Sequence, residues 1–335
     1  MGRALSGPLL TVLASAGRSE GRGHLARALA LAEAAQEQRL PCVIALLRGE
    51  PSTAERGRAH AAGAAFAAPG ELRDVLRGDA APLVVDLPDP NEAGPAVLAR
   101  ATVFDDRQLL ASPARVIVQP SLPSWTPAPG ARAGRALVGY AFAPLGRSVL
   151  RVIGERRPRP PRRESADLRV VLCFGGSDPH DVTARLGVAL AADPRWSLDL
   201  VVGPDYRGAA EARGLTLLRE PPDLAGLLAA ADVAVLGAGT MKFEAAALGT
   251  PAILVAVADD QLPVGPPFAA TGAAAWAGDG RDVGPSRVVE LLAALALDPG
   301  RRAGMARRGP EVVPGDGARR IVDATMTEIG TEGAD

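Results

Sequence analysis

Two doubly wound α/β domains in tandem are implied by the order of apolar segments along the 335 residues. In both halves, short continuous apolar runs alternate with longer segments of helical period. That is the pattern of a parallel sheet covered by helices on both faces. Between the halves the composition breaks at Glu155-Arg156-Arg157-Pro158-Arg159-Pro160-Pro161-Arg162-Arg163-Glu164, a charged, proline-stiffened run without apolar period. Small-residue turns follow three of the strands: Gly21-Arg22-Gly23, Gly175-Gly176-Ser177 and Gly237-Ala238-Gly239. The length suits two domains. Residues 1–150 form the first, 151–167 a linker and 168–312 the second; 313–335 read as a helix free to cross back, then a tail.

In the first half, Leu9 to Leu13 reads as a strand and Gly17 to Gly23 as a loop. His24 to Gln38 is a helix with Leu25, Leu29, Ala32 and Ala35 on one face. Cys42 to Leu47 is the next strand. Helices around 54–62, 71–77 and 92–100 are interleaved with the strands Leu83 to Asp86, Thr102 to Asp105 and Arg115 to Val118. The second half restarts with the strand Leu168 to Phe174 and a helix over His180 to Ala191. Strands at Leu198 to Val202 and Leu215 to Leu218 follow, then the helix Asp223 to Ala230 and the strand Val233 to Leu236. Pro251 to Val255 and Ala273 to Trp276 are apolar strands; helices around 288–297, 300–308 and 317–329 close the chain.

Composition narrows the function. A net charge of −1 with 3% aromatic residues argues against a nucleic-acid surface, which needs a basic stripe and stacking rings. Of the 37 basic residues only Lys242 is a lysine, and this enrichment in arginine, with alanine, glycine and proline, fits a GC-rich genome. Cys42 and Cys173 both fall in expected strands and read as buried free thiols of a reducing cytoplasm. Two Cys and three His show no metal-ligand spacing, so neither metal nor cofactor is expected. The run Leu9 to Ala16 faintly imitates a signal peptide, but it is short and a glycine turn and helix follow at once. A first buried strand explains it better, and no run approaches membrane-spanning length. A cytoplasmic protein is expected.

The segment Leu236-Gly237-Ala238-Gly239-Thr240-Met241-Lys242-Phe243-Glu244 carries the strongest chemical signal. Strand, small-residue turn and helix follow one another, so backbone N–H groups of the turn can face an anion where a helix dipole begins. Glu244, on the first helical turn, can accept hydrogen bonds from a ribose. A nucleoside-diphosphate cradle, and hence a nucleotide-sugar protein, is implied. Gly175-Gly176-Ser177-Asp178-Pro179 is a second anion-suited turn; Asp178 or Asp181 can instead cap the next helix, and Thr183 can add a hydroxyl. Gly21 and Gly23 permit close approach of backbone to a ligand, and His24 at the helix start is the best candidate for a general base. Asp86 is either a substrate contact or a turn former. Asp105-Asp106 reads as a capping pair, whereas Asp260 and Gln261, just after an apolar strand, suit contact with a sugar or its phosphates.

With these residues in view, the chain resembles the UDP-sugar hydrolases of pseudaminic acid biosynthesis and their spore-coat-polysaccharide relatives. That family is similar in turn to the lipid-linked peptidoglycan N-acetylglucosaminyltransferase. The resemblance runs through Gly21 to Arg27, Val84 to Asp86, Val103 to Asp106, Gly139 to Arg147, Phe174 to Thr183, Gly237 to Pro251, Asp259 to Gln261 and Gly315 to Arg319. It implies the GT-B type of fold, two Rossmann-like domains with ligands in the cleft between them. By the same resemblance the second domain holds UDP, with uracil near Leu218 to Pro222, the ribose on Glu244, and the diphosphate on Gly239, Thr240, Met241 and Ser177. His24 then activates water for attack at the anomeric carbon. Leu13, Ser15, Leu87, Pro88 and Asp260 depart from the family pattern, all on the sugar side. The expected activity is a metal-independent nucleotide-sugar hydrolase acting on a UDP-linked, modified amino-deoxy sugar. An inverting glycosyltransferase and a non-catalytic nucleotide-sugar-binding subunit are the alternatives.

Overall fold

A computed structural model of the chain describes residues 9–17, 20–68, 70–72, 76, 82–155 and 168–330. Most of the expected linker, most of the helix expected over 71–77, part of the Gly17 to Gly23 loop and the tail after 330 lie outside the described residues. The chain divides into two compact units, Met1–Gly146 with Asp316–Asp335, and Arg147–Gly315.

The first unit is built on the strands β1 (Leu10–Ser15), β2 (Cys42–Arg48), β3 (Ala64–Phe66), β4 (Leu83–Asp86), β5 (Thr102–Phe104), β6 (Pro113–Gln119) and β7 (Arg132–Val138). They form one sheet in the order β3-β2-β1-β4-β5-β6-β7, every pairing parallel. Alternate residues of β1 serve opposite faces, as the period of a strand requires. Leu10, Val12 and Ala14 pack under the helix α1 (Gly23–Glu37), while Leu13 joins Val85, Val103 and Ile117 on the other side. Each such fully buried aliphatic side chain contributes about 1.5–3 kcal/mol relative to exposure. The terminal helix Gly317–Gly330 belongs to this unit: Ile321 and Val322 enter its core, and the Thr325 and Thr102 hydroxyls meet at 2.8 Å.

The second unit has the strands β8 (Leu168–Cys173), β9 (Trp196–Val202), β10 (Leu218–Arg219), β11 (Val233–Gly237), β12 (Ala252–Ala256) and β13 (Ala274–Asp279). Their order, β10-β9-β8-β11-β12-β13, is again wholly parallel and repeats the winding of the first sheet. In each sheet the winding reverses once, between β1 and β4 and between β8 and β11. The carboxyl ends of the strands at such a reversal are where an open α/β sheet leaves room for a ligand.

Several elements differ from the sequence reading. In place of a helix over 92–100 there is a 3-10 turn, Pro90–Ala93, and one helical turn, Pro95–Leu98. Gly94 between them holds φ 82°, outside the helical region, and Pro95 has no N–H to extend the first turn. The edge strand β7 escapes notice because Arg132, Gly134 and Arg135 face solvent and leave no apolar period. A helix, Arg147–Gly154, occupies the end of the expected first domain, so the second unit starts at Arg147. The helix expected from His180 begins at Val182. Asp178 and Asp181 before it hold left-handed φ values of 43° and 49°.

Candidate functional site

At the winding reversal of the first sheet, four charged or ionisable side chains meet. Gly23 opens α1, so His24 lies in its first turn and Arg27 follows one turn later on the same face. Asp86 ends β4 and pairs in register with Ala14 of β1, which brings it beside the start of α1. His24 Nδ1 lies 2.7 Å from Asp86 Oδ1. Arg27 grips the same carboxylate in a fork, Nε donating to Oδ2 at 2.8 Å and Nη2 to Oδ1 at 2.6 Å. Its Nη1 donates to Asp106 Oδ2, and Asp106 Oδ1 accepts from the Ser121 hydroxyl at 2.7 Å. The guanidinium also sits 4.7 Å over the Phe104 ring.

The hydrogen-bond pattern assigns the tautomer. His24 Nδ1 faces both Asp86 Oδ1 at 2.7 Å and Arg27 Nη2 at 3.0 Å. An ionised Asp86 can only accept, and its shorter contact favours the proton on His24 Nδ1, with Arg27 Nη2 spent on Asp86 Oδ1. That leaves the Nε2 lone pair as the ring's basic position. The Asp86 side chain has no exposed surface while His24 keeps 16%. Burial disfavours the charge on Arg27, but Asp106 and Asp86 outweigh it and hold the guanidinium protonated. Burial likewise raises the Asp106 carboxyl, yet Arg27, Ser121 and His24 together pull it below its ordinary value.

A scaffold holds this group. The Gln119 side-chain amide, at the end of β6, donates to the Asp105 and Asp106 carbonyls at 2.7 and 3.0 Å, and its oxygen accepts from Ser121 N–H. Asp105 turns away into the loop: it accepts from the N–H groups of Leu109 and Leu110 and from Trp125 Nε1. The Asp105-Asp106 pair therefore splits, one residue stapling a loop and the other holding Arg27.

At the reversal of the second sheet, the turns after β8 and β11 meet. Gly237 lies against the Phe174 backbone and the Gln261 side chain, where a Cβ would stand 3.7 Å from each. Gln261 Oε1 accepts from Val257 N–H at 3.1 Å, which directs its amide nitrogen towards Gly239. The helix Met241–Ala247 follows. Lys242, almost fully buried, donates from Nζ to the Ala238 and Gly239 carbonyls at 2.9 and 3.1 Å. Across trans peptides the N–H lies opposite the C=O, so those two bonds turn the Gly239 and Thr240 N–H groups away from the lysine. Glu244 is half-buried one turn along. On the other turn, Gly203 packs onto the Gly175-Gly176 backbone, and Gly176 O accepts from Asp205 N–H.

Some expected site residues take other parts. Asp86 is a fully buried partner of His24 and Arg27, with both carboxylate oxygens engaged by them. Asp178 caps the next helix, accepting from Val182 and Thr183 N–H; Asp181 is taken by the Tyr206 hydroxyl and Ala209 N–H. Thr183 is fully buried and presents no hydroxyl outward. Ser177 and Gly237 are buried, whereas Gly175, Gly176, Gly239, Thr240 and Met241 keep part of their surface. Asp260 is exposed on the turn Asp259–Gln261. Gly21, at φ 74°, bridges to Gly17 beside Gly23 and His24. Burial pushes the Cys42 and Cys173 thiols each up to about 12, so neither is a nucleophile. The sequence reading gave Arg27, Ser121 and Lys242 no role at a site, and Asp106 only that of a cap. An arginine three residues after His24, on the apolar side of a helix, was the available signal, because a buried guanidinium demands carboxylate partners.

No protein-family model matches the sequence, and no curated protein matches it. Solved structures do match over almost the whole chain. The calicheamicin glycosyltransferase CalG4 is 16% identical with a TM-score of 0.59, covering 98% of this chain and 99% of its own. MurG of Acinetobacter baumannii is 18% identical at TM-score 0.56, over 95% and 99%. A putative UDP-N-acetylglucosamine 2-epimerase from Listeria monocytogenes is 12% identical at TM-score 0.61, over 98% and 97%. At such identities the likeness is one of fold. Two Rossmann-like parallel sheets wound in the same order, matched end to end by these proteins, give this chain the fold of the GT-B glycosyltransferases.

Proposed function

We propose that the protein transfers a glycosyl group from a nucleotide-sugar donor to an acceptor hydroxyl, with inversion at the anomeric carbon. The observation that carries this reading is the His24–Asp86 pair at the carboxyl end of the first sheet. Its Nε2 lone pair is suited to take the acceptor's proton as the hydroxyl oxygen attacks the anomeric carbon. The bond from that carbon to the diphosphate breaks, the nucleoside diphosphate leaves with the electron pair, and the proton stays on His24. Asp86 bears the charge that forms on the imidazole without itself taking the proton. The second unit receives the donor: N–H groups of Gly239, Thr240 and Met241, with Ser177, face the diphosphate, and Glu244 the ribose. Charge developing on the leaving group is stabilised by donors already in place.

Water in place of the acceptor is the second reading, favoured by the resemblance of Gly21 to Arg27 and of the Gly175 to Thr183 turn to the UDP-sugar hydrolases. Under it the donor is a UDP-linked amino-deoxy sugar. A panel of UDP-, CMP-, GDP- and dTDP-sugars, with free nucleotide as readout, separates the two. Release only after an acceptor extract is added supports transfer, and release in buffer alone supports hydrolysis. Nucleotide binding by calorimetry with no release under either condition would reduce the protein to a binding subunit and overturn both.

A further inference from the structure

Arg27 is among the most deeply buried charges of the first unit, and its Nη2 lies 3.0 Å from His24 Nδ1, on the side of the ring away from Nε2. Its fork occupies both oxygens of Asp86. A carboxylate held by one partner can swing about its Cβ–Cγ bond; held at both oxygens by a planar guanidinium, it cannot without breaking two charged hydrogen bonds. The guanidinium is fixed in turn by Asp106 and by the Phe104 ring beneath it. Asp86 is thereby left with Oδ1 directed at His24 Nδ1.

We infer that Arg27 is a positioning residue: through its fork on Asp86 it sets which ring nitrogen of His24 carries the proton and which way the base points. The inference rests on His24 acting as the base, but its main readout does not. The charged groups facing the His24 ring among the described residues are Asp86 from β4, Arg27 from α1 and Asp106 after β5. Arg27 is the single cation among them. Replacing it frees the carboxylate and leaves two anions unopposed beside the imidazole.

The test is nitrogen-15 NMR of the histidine rings of the full-length protein, with His24 assigned by loss of its signals in His24→Gln. Wild type is expected to show the Nδ1–H form at neutral pH. Arg27→Met should show a mixture of the two neutral tautomers. Arg27→Lys keeps the charge but supplies one nitrogen where two are needed, so it should show the mixture too. Asp106→Asn leaves the fork intact and should keep the wild-type pattern. With a nucleotide-sugar substrate in hand, Arg27→Met should lower kcat by about 10²-fold, the scale of a misplaced catalytic group, with KM within about threefold. Wild-type tautomer in both folded arginine variants overturns the inference, as does an Nε2–H form in wild type itself. Should Arg27→Met not fold, the Arg27→Lys spectrum decides. An intact tautomer shift together with full turnover by His24→Ala would instead remove the base reading and leave the positioning role standing.

Discussion

His24 Nδ1 and Asp86 Oδ1 lie 2.7 Å apart although 62 residues separate them in the chain. The pairing is a product of the winding. β4 leaves the second and third strands to one side and returns next to β1, so the last residue of β4 meets the first turn of α1. The helix after β1 and the end of β4 thus bring the imidazole and the carboxylate together at the winding reversal, where an open α/β sheet leaves room for a ligand.

Removing the proposed base tests the reaction directly. His24→Ala should lower nucleotide release by about 10²–10⁴-fold, the contribution of a positioned general base. The nucleoside-diphosphate affinity, measured by calorimetry, should stay within about twofold, because the proposed nucleotide contacts lie in the second unit.

Asp86→Asn offers an amide where the ring needs an acceptor. The amide can donate to Nδ1, which drives the proton to Nε2 and removes the lone pair. A loss of about 10²–10⁴-fold in kcat with a preserved fold is expected, in line with the cost of the same substitution in serine-protease triads. Steady-state kinetics beside a near-ultraviolet circular dichroism spectrum would check it; unchanged kcat would separate Asp86 from the mechanism.

The depressed Asp106 carboxyl makes stability sensitive to acid. Its folded-state pKa lies below the unfolded value of about 3.9. The stability it contributes is therefore complete above that value and is lost as pH falls through it towards the folded-state pKa. Asp106→Asn should be less stable than wild type at pH 7, and the gap in Tm should narrow as pH falls below about 4. A gap that stays constant from pH 7 to pH 3 would contradict the ion pair with Arg27.

Gly203 sits where the backbone of β9 leaves the sheet against the turn after β8. A Cβ there would lie 2.5 Å from Gly176 Cα and 2.7 Å from Gly176 O, both main-chain atoms that cannot rotate aside. Gly203→Ala should cost about 1–3 kcal/mol, as overpacking does. It should also weaken nucleoside-diphosphate binding by displacing Gly176 and Ser177; urea unfolding and calorimetry measure the two effects.

Lys242→Met keeps the length of the side chain and removes its donors. The Ala238 and Gly239 carbonyls then lose a buried partner, at about 1–3 kcal/mol, less whatever is regained by no longer burying the ammonium. A lower Tm in thermal unfolding is expected. An unchanged Tm would mean that the turn holds its shape without the lysine.

Apart from β3 and β7, the strands were legible in the residues, as were the small-residue turns and the helices at Gly23, Thr53, Leu224 and Met241, because they are local. Continuous apolar runs of five or six residues and glycines at their ends act through backbone propensity and the burial of each segment's own faces. The exposed edge strand β7 and the broken helix at Gly94 were not legible, since solvent on one face erases the period and a single φ breaks a helical pattern.

What the sequence by itself determined is the layered α/β plan of two sheets, and His24 with the two glycine turns as candidates. Only the tertiary structure decided that Asp86, Arg27 and Asp106 join His24, that Asp178 caps the next helix while Asp181 accepts from Tyr206 and Ala209, and that Lys242 braces the turn beside it. The physical reason is that a buried charge is tolerated only where its partners converge. That convergence is set by which strands lie side by side, an order that depends on the packing of the whole unit rather than on any segment's own pattern.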